Sequence, residues 1–268
     1  MKDVDFSIIT VCYNSEKTIE RTINSVLSQS YSNYEFIIVD GASKDKTISI
    51  VKKYEPLFDG RMKWISEPDK GIYNAMNKGI SMSNGLIVGI VNSDDWLEPN
   101  ALQTIIDCYK EAPEPEDSVY CGWINFHYIN GDVQILKTDH QIFESWSRRF
   151  EVAGVRHPGV FVPKNVYNKH GVFDENMKVL SDCDLLLRFY FEGVRYCYPN
   201  IIVSNMSDGG VSNRQWRATS KDYKLLLNKY KLNKFKYFYL LIRFNFKTYI
   251  KYLIPAKIFY YYRFLSKA

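Results

Sequence analysis

The chain contains no Cys-x-x-Cys pair. Its five cysteines, Cys12, Cys108, Cys121, Cys183 and Cys197, are scattered and odd in number. Neither a disulfide framework nor a zinc site is indicated, and a reducing cytosol is the simplest compartment. No run reaches the roughly 18 uncharged apolar residues of a membrane span. The opening Met1-Lys2-Asp3-Val4-Asp5 is too acidic and too short of apolar length for a signal peptide. No Gly-x-Gly-x-x-Gly follows the first apolar run, and no Gly-x-x-x-x-Gly-Lys-Ser/Thr occurs, which disfavours a dinucleotide fold and a P-loop. Internal repeats and low-complexity linkers are also missing.

What is there suffices for a core: 46% of the 268 residues are apolar and 24% are charged, which argues against disorder and for one large domain or two small ones. The charge is unevenly spread. Residues 229–268 hold ten Lys/Arg, fourteen Tyr/Phe and no Asp/Glu, whereas residues 1–228 hold twenty-five Lys/Arg against thirty Asp/Glu. An acidic body with a basic tail does not fit a nucleic-acid binder, whose body would also attract phosphates, so no nucleic-acid partner is expected.

The hydrophobic pattern predicts strands at Phe6–Val11, Phe36–Val39, Met62–Ile65 and Leu86–Val91. Between them, Ile19, Ile23, Val26 and Leu27 recur as one helix face behind a candidate cap at Ser15, and Lys46–Tyr54 and Gly71–Ser81 suit further helices. Four alternations over about ninety residues predict βαβ units on a parallel sheet covered on both faces. Later, Asn130-Gly131 separates Ile124–Ile129 from Val133–Leu136, a hairpin signal. Val160–Val162 reads as a strand and Asp182–Glu192 as a helix, and composition shifts near residue 222.

In an open α/β sheet, ligands bind beyond the carboxyl ends of the parallel strands. The four predicted strands end in Tyr13-Asn14, Asp40, Glu67-Pro68-Asp69-Lys70 and Asn92-Ser93-Asp94-Asp95. A ring stacks on a base, carboxylates accept bonds from base N–H or ribose hydroxyls, and adjacent carboxylates hold a divalent cation through oxygen. Together they describe a nucleotide site in which a metal, rather than a glycine-rich loop, neutralises a diphosphate. Taken singly, Asp40-Gly41 also suits a turn, Asp94-Asp95 a helix cap and Tyr13 strand-end packing. Their joint placement at successive strand ends favours the site.

These residues resemble family 2 glycosyltransferases of the GT-A fold. The matching pieces are Ser7–Asn14, Ile37–Asp45, Glu67–Gly79, Asn92–Trp96 and Leu180–Arg188, in order, over about residues 5–215. The resemblance implies an α/β GT-A (Rossmann-like) fold, a mixed, mainly parallel sheet flanked by helices, to which the residue pattern adds a C-terminal helical basic and aromatic tail. With the composition shift near residue 222, it suggests a catalytic domain, 1–220, and an amphipathic helical segment, 221–268, expected to associate with a membrane. It also implies inverting, metal-dependent sugar transfer from a nucleotide-diphosphate donor. Carried over, Tyr13 and Asp40 flank the base, and Asp69 reaches towards the nucleotide. Asn92-Ser93-Asp94-Asp95 takes the place of the family's D-x-D motif, so Asn92 and Asp94 contact the donor and Asp94 and Asp95 bind Mn²⁺ or Mg²⁺. Asp182 matches the catalytic base. Two positions depart from the family: Asn92 replaces its first carboxylate, and Ser181 replaces the acidic neighbour of the base. These departures keep an inactive nucleotide-sugar-binding or membrane scaffold protein as the alternative function.

His157 is a candidate acceptor contact and also suits a core histidine. Arg214, ending the glycine-containing loop Asp208–Arg214, is a candidate contact to the diphosphate and also suits a solvated loop. In the tail, Arg243, Lys247 and Lys251 form one stripe, interleaved with Ile242, Phe246, Tyr249, Ile250 and Leu253, before Pro255 and a second run, Ile258–Phe264. A basic, aromatic helix suits an anionic bilayer interface; packing on the catalytic body is the competing account. The expected partners are therefore a nucleotide-sugar donor, a glycan or lipid-linked acceptor in surface-polysaccharide synthesis, and an anionic membrane surface through 229–268. The expected location is cytoplasmic, peripheral on the inner face of the cell membrane. A uridine donor is favoured, with thymine nearly as compatible and guanine open.

Overall fold

The structure is a computed structural model that describes residues 4–150, 156–208 and 215–253. Four apolar runs form its parallel half: β1 (Phe6–Cys12), β2 (Tyr34–Asp40), β3 (Met62–Ser66) and β4 (Ile87–Ile90), alternating with α1 (Ile19–Leu27), α2 (Thr47–Tyr54) and α3 (Ile72–Met82). Every residue of β1 and β2 is buried, as in parallel strands covered on both faces. The expected βαβ alternation is thus present. Ser15, however, does not cap α1; the helix begins after Thr18, and Ser15 accepts the Thr18 and Ile19 amides through its backbone carbonyl.

The second half adds β5 (Trp96–Leu97), α4 (Ala101–Glu111), β6 (Ser118–Cys121), β7 (Trp123–His127), β8 (Val133–Leu136), α5 (His140–Arg149), β9 (Val160–Pro163), α6 (Lys164–His170), α7 (Ser181–Phe191), β10 (Arg195–Cys197), β11 (Ile202–Ser207), α8 (Trp216–Lys229) and α9 (Lys234–Leu253). The central sheet runs β10-β6-β9-β4-β1-β2-β3 and is mainly parallel, with β9 antiparallel to both neighbours. A second sheet runs β5-β11-β7-β8 and contains the expected hairpin. Sequence order reverses between β1 and β4, the kind of switch point that opens a crevice at strand ends. Register places Cys12 beside Asp40 and Asp40 beside Ser66, so the three strands finish level.

Strand periodicity sorts the core. Ile9, Val11, Ile37 and Val39 pack with α3, α5, α6, α7 and α8, while Ile8, Phe36 and Ile38 pack with α1, α2 and α4. The expected division at 220/221 falls inside α8. Its Tyr223, Leu226 and Leu227 are fully buried in the same core as α3 and α7, and the Tyr223 ring stacks on Phe244 of α9 at 3.9 Å. On α9, Lys234 and Lys236 are exposed while Leu240 is buried in the same core. Among the described residues no helix is long and apolar enough to cross a membrane; Pro255 and Ile258–Phe264 lie outside them.

Gly79 lets α3 lie close on β1: a Cβ there would sit 2.4 Å from Ile9 Cγ2, and Ile9 is fully buried. Gly79→Val is expected to destabilise the fold by about 2–3 kcal/mol through overpacking. Denaturant titration with an unchanged m-value checks this, and an unchanged midpoint contradicts it.

Candidate active site

Three strand-end loops are tied into one rim. The loop after β1 and the loop after β2 exchange bonds: Asn14 N–H donates to Ser43 Oγ (2.8 Å), Lys44 N–H to Asn14 Oδ1 (2.8 Å) and Ser15 N–H to Thr47 Oγ1 (2.7 Å). Ser15 Oγ and Ser93 Oγ lie 2.8 Å apart and join the loop after β4 to the same rim. Asn14 and Ala42 turn the chain at φ of 51° and 61°. Asparagine tolerates this left-handed region; alanine there costs about 1 kcal/mol, which the surrounding bonds must hold in place.

Tyr13 is 63% exposed, and its ring faces the rim. A Cβ on Gly41 would lie 2.6 Å from Asp69 Oδ2 and 3.3 Å from Tyr13 Cδ2, so Tyr13 and Asp69 flank the bare Gly41 backbone. Asp69 is half-buried and accepts the Gly71 N–H at 2.8 Å.

Asp40 differs from expectation. It is fully buried, and its oxygens accept from Ser66 Oγ (2.6 Å), Ser43 N–H (2.9 Å), the Ser43 hydroxyl and the Cys12 thiol (3.5 Å). With its lone pairs so occupied, Asp40 does not present itself to a base; it builds the floor that shapes the 41–45 turn. Burial and the Asp40 charge push the Cys12 thiol far above its ordinary value, so it stays protonated.

At the end of β4, Asp95 is 2% exposed and Asp94 is half-buried. Asp95 accepts from Ser207 N–H (2.9 Å) and Asn92 Nδ2 (3.2 Å). The Asp94 carbonyl accepts from Arg21 (2.6 Å) and from Ser207 Oγ (2.8 Å), and the Arg21 guanidinium lies 3.7 Å over the Trp96 ring. Burial raises both carboxyls; the neighbouring Asp94 charge lifts Asp95 further, to about 8. Asn92 Oδ1 is buried with no protein partner. An orphaned oxygen beside two carboxyls whose pKa values burial raises fits a hard divalent cation, which favours oxygen ligands. Among the described residues no three His, Cys, Asp or Glu side chains come together as a metal site. Asp94, Asp95 and Asn92 alone would leave such a cation short of oxygen ligands.

Asp182 sits on the first turn of α7, half-buried, with Oδ1 2.8 Å from Cys183 N–H and 3.3 Å from the Tyr73 hydroxyl. Tyr73 is the second residue of α3, which follows Asp69-Lys70-Gly71, so Asp182 is joined to the rim through that turn. Tyr73 itself donates to Val179 O at 2.7 Å. His157 is buried near Asp182; burial lowers its pKa, and the Asp182 charge only partly offsets this, so it is neutral. Its ring stands 5.4 Å from Phe173, which stacks on Tyr73 at 5.5 Å. Asp184 is buried and paired with Lys229 at 2.9 Å. Arg214 lies outside the described residues. The sequence pattern carries no sign of Arg21 or Ser207, and Tyr73 stands in a matching motif without a role there.

A carboxyl held protonated up to about 8 in the folded chain returns to the ordinary range near 4 on unfolding. Its stabilising contribution is complete below about 4 and is lost as pH rises through about 8. In chelator, the melting temperature is expected to fall between about pH 5 and about pH 8.5, and Asp95→Asn to flatten the fall; a flat wild-type profile contradicts the assignment.

Comparison with known proteins agrees with this geometry. The family model described as Glycosyl transferase family 2 matches residues 7–175. The PGL/p-HBAD biosynthesis glycosyltransferase of Mycobacterium bovis is 24% identical over 216 residues, covering 78% of this chain and 79% of the relative. An uncharacterized glycosyltransferase of Rickettsia typhi is 26% identical, covering 77% and 65%. Among solved structures, S. aureus TarS 1-349 in complex with UDP-GlcNAc superposes with a TM-score of 0.63 at 19% identity, covering 90% of this chain and 71% of that one. This chain spans 43% of the longer TarS structure. A mannosyltransferase from Pyrobaculum calidifontis, in complex with GDP-Man and Mn²⁺, gives 0.62 at 15% identity, covering 85% and 64%. The fold is GT-A-like.

Proposed function

This chain belongs to glycosyltransferase family 2, and from that premise we propose an inverting transferase that moves a sugar from a UDP donor to a hydroxyl of a glycan or lipid-linked acceptor. The setting we infer is surface-polysaccharide synthesis. The observation that carries this reading is the tied rim: Tyr13, Asp69 and the Asn92–Asp95 turn meet at the switch point, with Asp182 joined to them through Tyr73. The TarS complexes with UDP and UDP-GlcNAc support the choice of base.

In this reading the exposed Tyr13 ring stacks on the base, Asp40 shapes the floor beneath it, and Asp69 and Asn92 orient the ribose and phosphates. Asp94 and Asp95, with Asn92 Oδ1, would hold Mn²⁺ or Mg²⁺, which would supply charge neutralisation for a departing diphosphate. Asp182 takes the proton from the acceptor hydroxyl as its oxygen attacks the anomeric carbon. Base and leaving group stand on opposite sides of the sugar, so configuration inverts. Neutral His157 and the Tyr73 hydroxyl line the acceptor side; Arg214, outside the described residues, is the proposed contact to the diphosphate. The catalytic unit extends through α8.

On α9, Phe235, Phe238, Tyr239, Ile242 and Phe246 form one exposed stripe, with Phe235 91% exposed. The surrounding segment has no acidic residue. This supports peripheral binding to an anionic bilayer, at the inner face of the cell membrane, near a lipid-borne acceptor. A second reading, a nucleotide-sugar-binding scaffold without turnover, draws on Asn92 and Ser181 standing where the family has carboxylates.

A panel of nucleotide sugars with Mn²⁺ separates the two readings. Turnover is expected with UDP donors and is expected to fall about 10²–10⁴-fold in Asp182→Asn while UDP affinity is kept. Binding without turnover for every donor and acceptor supports the scaffold. For the membrane, flotation with anionic vesicles is expected for the intact chain and lost in Phe238→Ser/Ile242→Ser/Phe246→Ser. Equal flotation of both contradicts the membrane assignment.

A further inference from the structure

We propose that α8 is a clamp that positions Asp182, with Asp222 and Lys229 as its two contact points; this rests on Asp182 acting as the base. The segment from Phe173 to Leu180 forms no helix or strand, so its buried backbone groups need partners from elsewhere. Asp222 supplies them. It is 1% exposed, and its Oδ2 accepts the backbone N–H groups of Lys178 (2.7 Å), Val179 (2.6 Å) and Leu180 (3.2 Å). These are the residues that lead directly into Ser181-Asp182. Charge-assisted bonds of this kind are stronger than neutral ones.

The same stretch is held from its carbonyl side, where Val179 O accepts from Tyr73. Two turns further along α8, Lys229 lies 2.7 Å from Asp174 and 2.9 Å from Asp184. It thereby joins the start of the segment to the first turn of α7, and compensates an Asp184 carboxylate that is otherwise buried. Asp182 lies between the two grips. Neither Asp222 nor Lys229 touches the Asp182 carboxylate; both are positioning residues. The reason they matter is geometric: a misplacement of about 1 Å at a reacting group costs about 10²-fold in rate.

The test measures kcat, UDP affinity and amide hydrogen exchange at 178–180 in Asp222→Ala and Asp222→Asn, beside Asp182→Asn. Asp222→Ala is expected to lower kcat at least about tenfold, leave UDP affinity within about twofold and speed exchange at 178–180. Asp222→Asn keeps an acceptor oxygen and is expected to restore part of both. A kcat within about twofold of wild type in Asp222→Ala, with Asp182→Asn inactive, overturns the clamp. If Asp182→Asn stays active, the base assignment fails, and the clamp with it as a device for catalysis, while the exchange data still report what Asp222 holds. If Asp222→Ala does not fold, Lys229→Met takes its place, because it removes only the ion pairs. An expected kcat loss of about threefold or more with UDP affinity retained supports the clamp, and an unchanged kcat overturns it.

Discussion

Two carboxyls stand side by side where β4 ends, and the Arg21 guanidinium near them, whose hydrogen bond goes to the Asp94 carbonyl, offsets only part of the cost of burying them. In low dielectric their repulsion is strong, and burial adds to it. The surrounding chain holds them there regardless: Arg21 and Ser207 grip the Asp94 carbonyl, and the Ser207 amide and Asn92 grip the Asp95 carboxyl. Because Ser207 belongs to β11, the acidic turn also joins the second sheet to the central one. The turn proposed to hold the metal is thus the joint between the two sheets.

Around that joint the parallel sheet distributes the remaining parts. Level strand ends put Tyr13, Gly41 and Asp69 on one rim, and the short bonds between loops keep them there. Gly79 brings α3 down onto β1, which carries Tyr73 to the Asp182 carboxylate. A residue more than a hundred positions downstream is placed by the helix that follows the third strand. Packing of α3 and geometry at α7 are therefore one problem, and α8 closes it from the other side.

The four βα units were legible because parallel strands covered on both faces are continuous apolar runs, and because the helices between them carry a clear apolar stripe. The strand-end carboxylates followed from the same pattern, but their division of labour did not. Nothing in Ile37–Asp45 reveals that Ser43, Ser66 and Cys12 occupy the oxygens of Asp40. The short strands β5 and β10 have too few residues for periodicity to register. Charge is what sets the tail apart in the sequence, yet α8 buries Tyr223, Leu226 and Leu227, spaced as one helical face. The partners of Asp222 are backbone amides, which leave no trace in residue types. The sequence does not choose between a core and a site role for His157, because burial and neighbourhood decide its charge, and both are properties of the folded chain.

A crystal structure of the intact protein with UDP and Mn²⁺ tests the central claim most directly. The account predicts the uracil against Tyr13 and Gly41, the diphosphate and metal at Asp94, and Asp182 facing the crevice from the side away from the diphosphate. Nucleotide bound elsewhere, as in the roughly 460 Å³ cleft between Arg21, Asn24, Trp96 and Pro99, with the β4 carboxyls left empty, would contradict it.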